Sequence, residues 1–80
     1  MIEYNTDSIK YICYCRNGVP HNKYGPAIIE FYCSDKIASV KYYVDGQLHN
    51  NSGPAVIEYN YNGTVEHTEY WKTGEILETR

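Results

Sequence analysis

Short runs of tyrosine, isoleucine and valine alternate along this chain with pairs of turn-forming residues. Runs of this kind between Asn-Gly or Asp-Gly pairs are typical of antiparallel hairpins, because both central residues of the favoured two-residue turn need positive φ. No segment of the sequence has the apolar period of an amphipathic helix, so the pattern predicts an all-β chain. The predicted strands are residues 9–16, 27–33, 37–44, 55–61 and 65–72. The predicted turns are Asn17-Gly18, Ser34-Asp35, Asp45-Gly46, Asn62-Gly63 and Thr73-Gly74.

Much of this pattern occurs twice in the sequence. The stretch HNKYGPAIIEF at residues 21–31 returns 28 residues later as HNNSGPAVIEY at residues 49–59, and a further, incomplete copy begins at Tyr70. Self-similarity at this period indicates a repeat array, in which each unit completes the core of its neighbour. We therefore expect one domain over residues 1–80, an antiparallel meander of hairpins built from about two and a half repeats of 28 residues. The expected architecture is a single curled sheet or a small open barrel.

Each copy carries the phrase His-Asn-x-x-Gly-Pro-Ala ahead of a strand. Proline fixes φ and donates no hydrogen bond, so it fits where a loop enters a strand. The glycine before it can use backbone angles barred to other residues, which makes Gly53 a candidate for positive φ. Asparagine can bond nearby backbone, and histidine can brace the turn. The phrase is most simply a loop that delivers the chain into its next strand.

The tight turns also set an expected register between strands. A two-residue turn at Ser34-Asp35 places Ala27, Ile29 and Phe31 opposite Tyr42, Val40 and Ala38. The same rule at Asn62-Gly63 places Ala55, Ile57 and Tyr59 opposite Tyr70, Thr68 and Glu66. The expected core face holds Ala27, Ile29, Val40, Tyr42, Ala55, Ile57 and Tyr70. The opposite, mixed face holds Cys13, Cys15, Ile28, Glu30, Lys41, Tyr43, Val56, Glu58, His67, Glu69 and Trp71.

The mixed face has no helix to cover it, so the sheet must curl on itself or pair with another copy of the chain. Tyr43 and Trp71 hold equivalent positions in successive repeats and project on this face. They are a candidate contact stripe, although ordinary packing within the sheet explains them equally well. We expect a homodimer that buries either this face or the N-terminal edge strand, because the charges of residues 75–80 disfavour pairing at the other edge.

Candidate chemistry is sparse. His21 and His49 are one repeat and so two strands apart, roughly 10 Å, which is too far to share one zinc ion. His67 and the opposing Glu58 suit a cross-strand ion pair or, beside a nucleophile, a general base. The sequence contains no nucleophile motif, phosphate loop or zinc-ligand spacing. We expect no metal, no cofactor and no enzymatic activity.

The three cysteines are an odd number, and Cys13 and Cys15 are too close in sequence to bridge without distorting their strand. Together with Cys33 they are expected to be reduced thiols, which fits a cytoplasmic location. The N-terminal residues do not resemble a secretory signal and no apolar run could span a membrane, so we expect no membrane association. A net charge of −3 argues against direct binding of nucleic-acid phosphates.

The repeats also carry a family signature. Residues 42–64, YYVDGQLHNNSGPAVIEYNYNGT, resemble the units of MORN-like repeat arrays from giant-virus, phage and some bacterial proteins; EYWKTGE at residues 69–75 opens a further unit, and residues 14–31 are a looser copy. The resemblance implies a binding scaffold rather than an enzyme. Short viral members of such families suggest a protein that blocks host defence in the host cytoplasm.

Two functional hypotheses come from different classes of protein. The first is a small protein-interaction module, a phage or viral inhibitor that docks on a host protein. The second is a small-ligand binder that sequesters a nucleotide-like signalling molecule, with tyrosines stacking on a base and the His-Asn loops supplying hydrogen bonds. A more remote third is a repeat fragment of a larger assembly. The candidate binding residues are Tyr43, Trp71, His21, Asn22, His49, Asn50 and His67.

Overall fold

The computed structural model describes residues 2–4, 10–32 and 36–80. All the regular structure of these residues consists of strands and turns. Within them one seven-stranded antiparallel sheet is accompanied by two small hairpins. The strands are β1 (Ile2–Tyr4), β2 (Lys10–Cys13), β3 (Cys15–Arg16), β4 (Val19–Pro20), β5 (Ile28–Phe31), β6 (Ile37–Lys41), β7 (Tyr43–Val44), β8 (Gln47–Leu48), β9 (Val56–Tyr59), β10 (Val65–Lys72) and β11 (Glu75–Thr79). The all-β prediction is confirmed.

The main sheet runs in the order β1-β2-β5-β6-β9-β10-β11, and the hairpins β3–β4 and β7–β8 lie within the connections between its strands. Each strand therefore pairs with the sheet strand that comes before or after it in the chain, as in a meander. The sheet stays open, with β1 and β11 as its edges, so a single sheet and not a barrel is observed. The described residues include no helix long and apolar enough to cross a membrane.

Two predicted strands are each divided by a tyrosine. Residues 9–16 and 37–44 are interrupted at Tyr14 and Tyr42, where the chain leaves the main sheet and enters a small hairpin. The backbone N–H of Tyr14 donates to the carbonyl of Ala27 at 2.7 Å, while its own carbonyl accepts from His21 N at 2.9 Å. Tyr42 makes the equivalent two bonds in the next repeat, also at 2.7 and 2.9 Å. Each tyrosine is thus a pivot between the main sheet and a hairpin.

The turns of the two small hairpins and of the β10–β11 hairpin form as predicted. Positive φ occurs at both central residues of the predicted pairs, which are Asn17 (52°) with Gly18 (81°), Asp45 (51°) with Gly46 (81°) and Thr73 (48°) with Gly74 (79°). Asparagine and aspartate tolerate this region, whereas a β-branched residue such as Thr73 rarely enters it. The turn at 73–74 must therefore be held by its surroundings.

The wider hairpin between β9 and β10 differs from prediction. Asn60 N donates to the carbonyl of Thr64 at 2.7 Å, so three residues, 61–63, form the loop instead of two. Only Gly63 among them has positive φ, at 92°. The preceding repeat closes in the same way, with Tyr32 N donating to the carbonyl of Lys36 at 2.7 Å. The predicted turn at Ser34-Asp35, like Cys33, lies outside the described residues.

The predicted register is confirmed along most of both hairpins. Ile29 pairs with Val40, Ile57 pairs with Thr68, and Glu58 lies opposite His67. Next to the loops the prediction is wrong. There Phe31 pairs with Ile37 rather than Ala38, and Tyr59 pairs with Val65 rather than Glu66. The reason is a bulge in each hairpin, which leaves Ala38 and Glu66 as extra residues.

Burial does not follow the single core face that the sequence predicted. Ala27 and Ala55 are fully buried and Val40 is 8 % exposed, as expected. The other four members of the expected core face are only half-buried. On the mixed face, Val56 is 5 % exposed and Cys13 is 9 % exposed. Both faces of the sheet are therefore partly covered, and no large side chain among the described residues is fully buried.

Candidate functional site

Each His-Asn loop is shaped by its asparagine. The Oδ1 of Asn22 accepts from Tyr24 N at 3.0 Å, and its Nδ2 donates to the carbonyl of Pro26 at 3.1 Å. Asn50 makes the equivalent two bonds at 3.1 and 2.9 Å. The side-chain oxygen and nitrogen of each asparagine thus both form hydrogen bonds with backbone groups of their own loop. The predicted role of asparagine in the loop is confirmed.

The histidines reach into the following repeat. The Nδ1 of His21 accepts from Asp45 N at 2.9 Å, and the Nδ1 of His49 accepts from Thr73 N at 3.0 Å. Asp45 and Thr73 are the first positive-φ residues of their turns. Histidine braces a turn, as expected, but the turn belongs to the next unit of the array. These imidazoles are therefore part of the contact between repeats.

Backbone bonds reinforce the same contact. Gly46 N donates to the carbonyl of Pro20 at 2.8 Å, and Gly74 N donates to the carbonyl of Leu48 at 3.0 Å. Each turn is thus held by a histidine and a carbonyl of the preceding unit. This explains the duplicated phrase physically: the loop before each Gly-Pro-Ala positions the next hairpin as well as the next strand.

The suggested positive φ of Gly53 is wrong. Among the described glycines, positive φ occurs at Gly18, Gly46, Gly63 and Gly74, and neither Gly25 nor Gly53 belongs to that group. A Cβ built at Gly53 would lie 3.8 Å from Asn50 Nδ2, which is an ordinary van der Waals distance. The Asn50 bonds, rather than unusual glycine angles, hold this loop in shape.

The loops of the first two repeats enclose a groove of 680 Å³. Its lining includes Tyr42 and Ile57, so the groove opens on the expected core face. The rest of the lining comes mainly from residues 22–25 and 49–54. Three predicted binding residues meet here, namely Asn22, His49 and Asn50. His21, Tyr43, Trp71 and His67 do not line it.

Tyr24 lines this groove and is 92 % exposed. The Nζ of Lys23 lies 5.9 Å from the centroid of the Tyr24 ring. The sequence analysis missed both residues because they vary between repeats, Lys23-Tyr24 in one copy and Asn51-Ser52 in the next. A comparison of the two loops for differences instead of identities would have found them.

The remaining candidate residues lie along β10 on the mixed face. Glu69 joins His67 and Trp71, since its Oε2 lies 2.9 Å from His67 Nε2 and its Oε1 accepts from Trp71 Nε1 at 2.9 Å. His67 faces Glu58 across the hairpin as predicted. The predicted cross-strand ion pair is wrong, however, because the partner in contact with His67 is Glu69, two residues along its own strand.

The contact shifts the titration of both groups. The hydrogen bond that His67 makes to the Glu69 carboxylate raises the pKa of His67 above its ordinary value of 6.5, with a smaller contribution from the charge of Glu58. The pKa of Glu69 is lowered, first by the bond to His67 and then by the bond to Trp71. The contact thus favours the charged forms of both side chains.

Tyr43 and Trp71 are half-buried rather than prominent. Their carbonyls accept from the His-Asn loops, Tyr43 O from Asn22 N at 3.0 Å and Trp71 O from Asn50 N at 3.1 Å. The more exposed aromatic side chains are Tyr24, Tyr61 and Tyr14. Tyr61 packs against Tyr32 with ring centroids 5.3 Å apart, and Lys36 Nζ lies 4.6 Å from its centroid.

In the described part of the chain, no three His, Cys, Asp or Glu side chains come close enough together to hold one metal ion. Comparison with known proteins adds no assignment, because no family model, curated protein or solved structure matches the chain.

Proposed function

We propose that this chain is a small non-enzymatic binding module that docks on another protein through the Tyr24 loop and the adjoining groove. The observation that carries the proposal is the exposure of Tyr24, a residue that is 92 % exposed although Asn22 fixes its loop. A tyrosine held in solvent by an ordered loop offers a large contact area at low entropic cost, which is typical of anchors at protein interfaces.

The lining of the groove is a second reason to propose a protein partner. Its lining is mostly loop residues with polar side chains, and only a few apolar side chains such as Tyr42, Val44 and Ile57 contribute. Small-molecule pockets are usually lined mainly by apolar side chains that cover most of the ligand. A protein segment could instead lie along the loops, with Tyr24 packed against it.

The repeat signature supports a finer proposal about origin and target. The matching units at residues 14–31 and 42–64 favour a MORN-like repeat protein of viral or phage origin. A protein of this kind, without catalytic motifs, would act by occupying a host defence protein in the host cytoplasm.

Replacement of the anchor tests the docking surface. Tyr24→Ser copies the residue at the equivalent position, Ser52, so the loop is expected to keep its shape. Tagged wild type, Tyr24→Ser and the control Tyr61→Ser would be incubated with host lysate and the retained proteins identified. A protein retained by wild type and Tyr61→Ser but lost from Tyr24→Ser supports the proposal. Equal retention by all three chains contradicts the assigned surface.

A nucleotide-like small ligand is the second candidate, and the size of the groove favours it. A volume of 680 Å³ lies within the range of ordinary ligand pockets, and Lys23 could meet a phosphate while Tyr24 or Tyr42 stacks on a base. Calorimetric titration with mononucleotides and cyclic dinucleotides tests it. Lys23→Asn, which copies Asn51, should then weaken binding. The absence of heat from every nucleotide rejects this candidate and leaves the protein-docking proposal standing.

A further inference from the structure

Two thiols meet at the first pivot of the sheet. The Sγ atoms of Cys13 and Cys15 are 3.0 Å apart, and neither residue is in a disulfide. The bonded distance between two sulfurs is about 2.05 Å. A shift of about 1 Å would therefore join them.

The backbone between the thiols is already irregular. Strand β2 ends at Cys13, β3 begins at Cys15, and Tyr14 between them belongs to neither. The objection that a bridge would distort a continuous strand therefore does not apply at this position. In the third repeat the equivalent side chains, Glu69 and Trp71, also meet, at 2.9 Å. These two side chains meet within the continuous strand β10, so side chains two residues apart at this repeat position can come into contact on one face of the sheet.

Burial gives the two sulfurs different accessibilities. Cys13 is only 9 % exposed, whereas Cys15 is exposed to solvent. Thiol–disulfide exchange depends on access to the attacking thiolate. A disulfide from solution would therefore meet Cys15 first, with Cys13 directly behind it.

We propose that Cys13 and Cys15 form a site of reversible oxidation, at which a low-molecular-weight disulfide such as oxidised glutathione converts the two thiols to an intramolecular disulfide. Cys15 is the attacking residue and Cys13 the resolving residue. The third repeat has Glu69 and Trp71 at these positions and the second has Lys41 and Tyr43, so the modification is confined to the first repeat.

The exchange proceeds in two balanced steps. The Cys15 thiol loses its proton to solvent, and the thiolate attacks one sulfur of oxidised glutathione. A mixed disulfide forms, and one glutathione thiolate leaves and takes up a proton. The Cys13 thiol then loses its proton to solvent, and its thiolate attacks Cys15 Sγ and closes the intramolecular disulfide. The second glutathione leaves as a thiolate and takes up a proton. The two protein thiols are oxidised, and one glutathione disulfide is reduced to two thiols.

Closure would act on the pivot itself. The ring would span Tyr14, whose N–H and carbonyl connect the main sheet at Ala27 to the hairpin at His21. The covalent link would fix the angle between β2 and the hairpin β3–β4. Oxidation would therefore stiffen the first unit of the array and leave the later pivots unchanged.

Peptide mapping of the wild-type chain tests the proposal directly. Cleavage after Lys10 and Arg16 gives one peptide, residues 11–16, that contains both thiols, while Cys33 lies in a separate peptide, 24–36. The chain is incubated with oxidised glutathione, the remaining thiols are alkylated, and the masses of the digested peptides are measured by mass spectrometry. We expect peptide 11–16 to lose the mass of two hydrogen atoms, to resist alkylation and to recover both thiols on reduction with dithiothreitol.

Two variants assign the roles of the sulfurs. Cys13→Ser should accumulate a stable glutathione adduct at Cys15, because the resolving thiol is missing. In Cys15→Ser the adduct should form at Cys13, and at least about tenfold more slowly than the adduct at Cys15 in Cys13→Ser, because the Cys13 thiol is buried. The proposal is overturned if wild-type peptide 11–16 stays fully alkylated, if it retains glutathione, or if Cys15 of Cys13→Ser does not react.

Discussion

Glycines of this chain differ in what they require of the backbone, even at equivalent positions of two repeats. Gly18 and Gly46 both have φ of 81°, but a Cβ at Gly18 would meet nothing within 4 Å, whereas one at Gly46 would lie 3.2 Å from Val19 Cβ. Gly53 has neither positive φ nor a close neighbour. We expect Gly53→Ala to be nearly neutral, Gly18→Ala to lower the free energy of unfolding by about 1–2 kcal/mol, and Gly46→Ala to lower it further. Urea unfolding measures all three, and a cost at Gly53 equal to that at Gly18 would contradict the account.

His49 is expected to stabilise the next repeat through one hydrogen bond. Its Nδ1 accepts from the N–H of Thr73, a β-branched residue held at a φ of 48°. Removal of the acceptor in His49→Ala should lower the free energy of unfolding by about 1 kcal/mol, and amide exchange at Thr73 should accelerate. His67→Ala is the control, because the ion pair of His67 with Glu69 is partly exposed and of small value. Unchanged exchange at Thr73 would show that His49 does not brace the turn.

The His67–Glu69 pair predicts a direction of pH dependence. Because the pKa of His67 is raised above 6.5 in the folded chain, its stabilising contribution is fully present below 6.5 and fades as the pH rises through the raised value. NMR titration should therefore show His67 with a pKa above 6.5. In Glu69→Gln the pKa should fall towards its ordinary value. A titration of His67 that is the same in both chains would remove Glu69 as the cause.

Local chemistry made the loop asparagine and the bracing histidine predictable, because Asn50 bonds residues two and four positions away. The partner of His49 was not predictable in the same way. Thr73 is 24 residues further along the chain, and their meeting depends on how one hairpin stacks on the next. Tyr24 was missed for another reason: repeat analysis selects what is shared, and Tyr24 is where the loops differ.

At the scale of the element, two departures from prediction cancel. A three-residue loop at 61–63 shifts the pairing by one residue relative to the predicted two-residue turn. The bulge at Glu66 then shifts it back, so Ile57 still meets Thr68. The same compensation occurs around Ala38 in the preceding hairpin. Alternation alone fixed the register beyond the bulge, since a slip by one residue would turn every side chain to the other face.

Strand faces were harder to predict than strand positions. An antiparallel sheet shows a clean apolar face only when one side packs against a core. Here Val40 is buried on one face and Val56 on the other, because no second layer in the described chain takes up one side. The tyrosines at the pivots added to the difficulty. Tyr14 and Tyr42 belong to strands by composition, yet their backbones turn from the sheet to a hairpin.

At the scale of the whole molecule, the chain forms a thin body of 32 × 31 × 18 Å. The buried residues are mainly small, such as Ala27, Ala55 and Cys13. Burial of such side chains removes little apolar area from water. Hydrogen bonds between repeats must therefore carry an unusual share of the stability, which is consistent with the strict repetition of the loop and pivot bonds.

This thin sheet also leads us to expect self-association. Strand β11 is disfavoured as a contact, because a bulge at Leu77 and the charges of Glu75 and Glu78 interrupt its open edge. The mixed face around Trp71, or the edge at β1, is then expected to form a two-fold dimer. Sedimentation at micromolar concentration should show a dimer for wild type and for the control Leu77→Lys. Trp71→Ala should be monomeric and folded if the mixed face is the contact, whereas a persistent dimer assigns the contact to β1. A monomeric wild-type chain would reject the dimer and leave both surfaces available to a different partner.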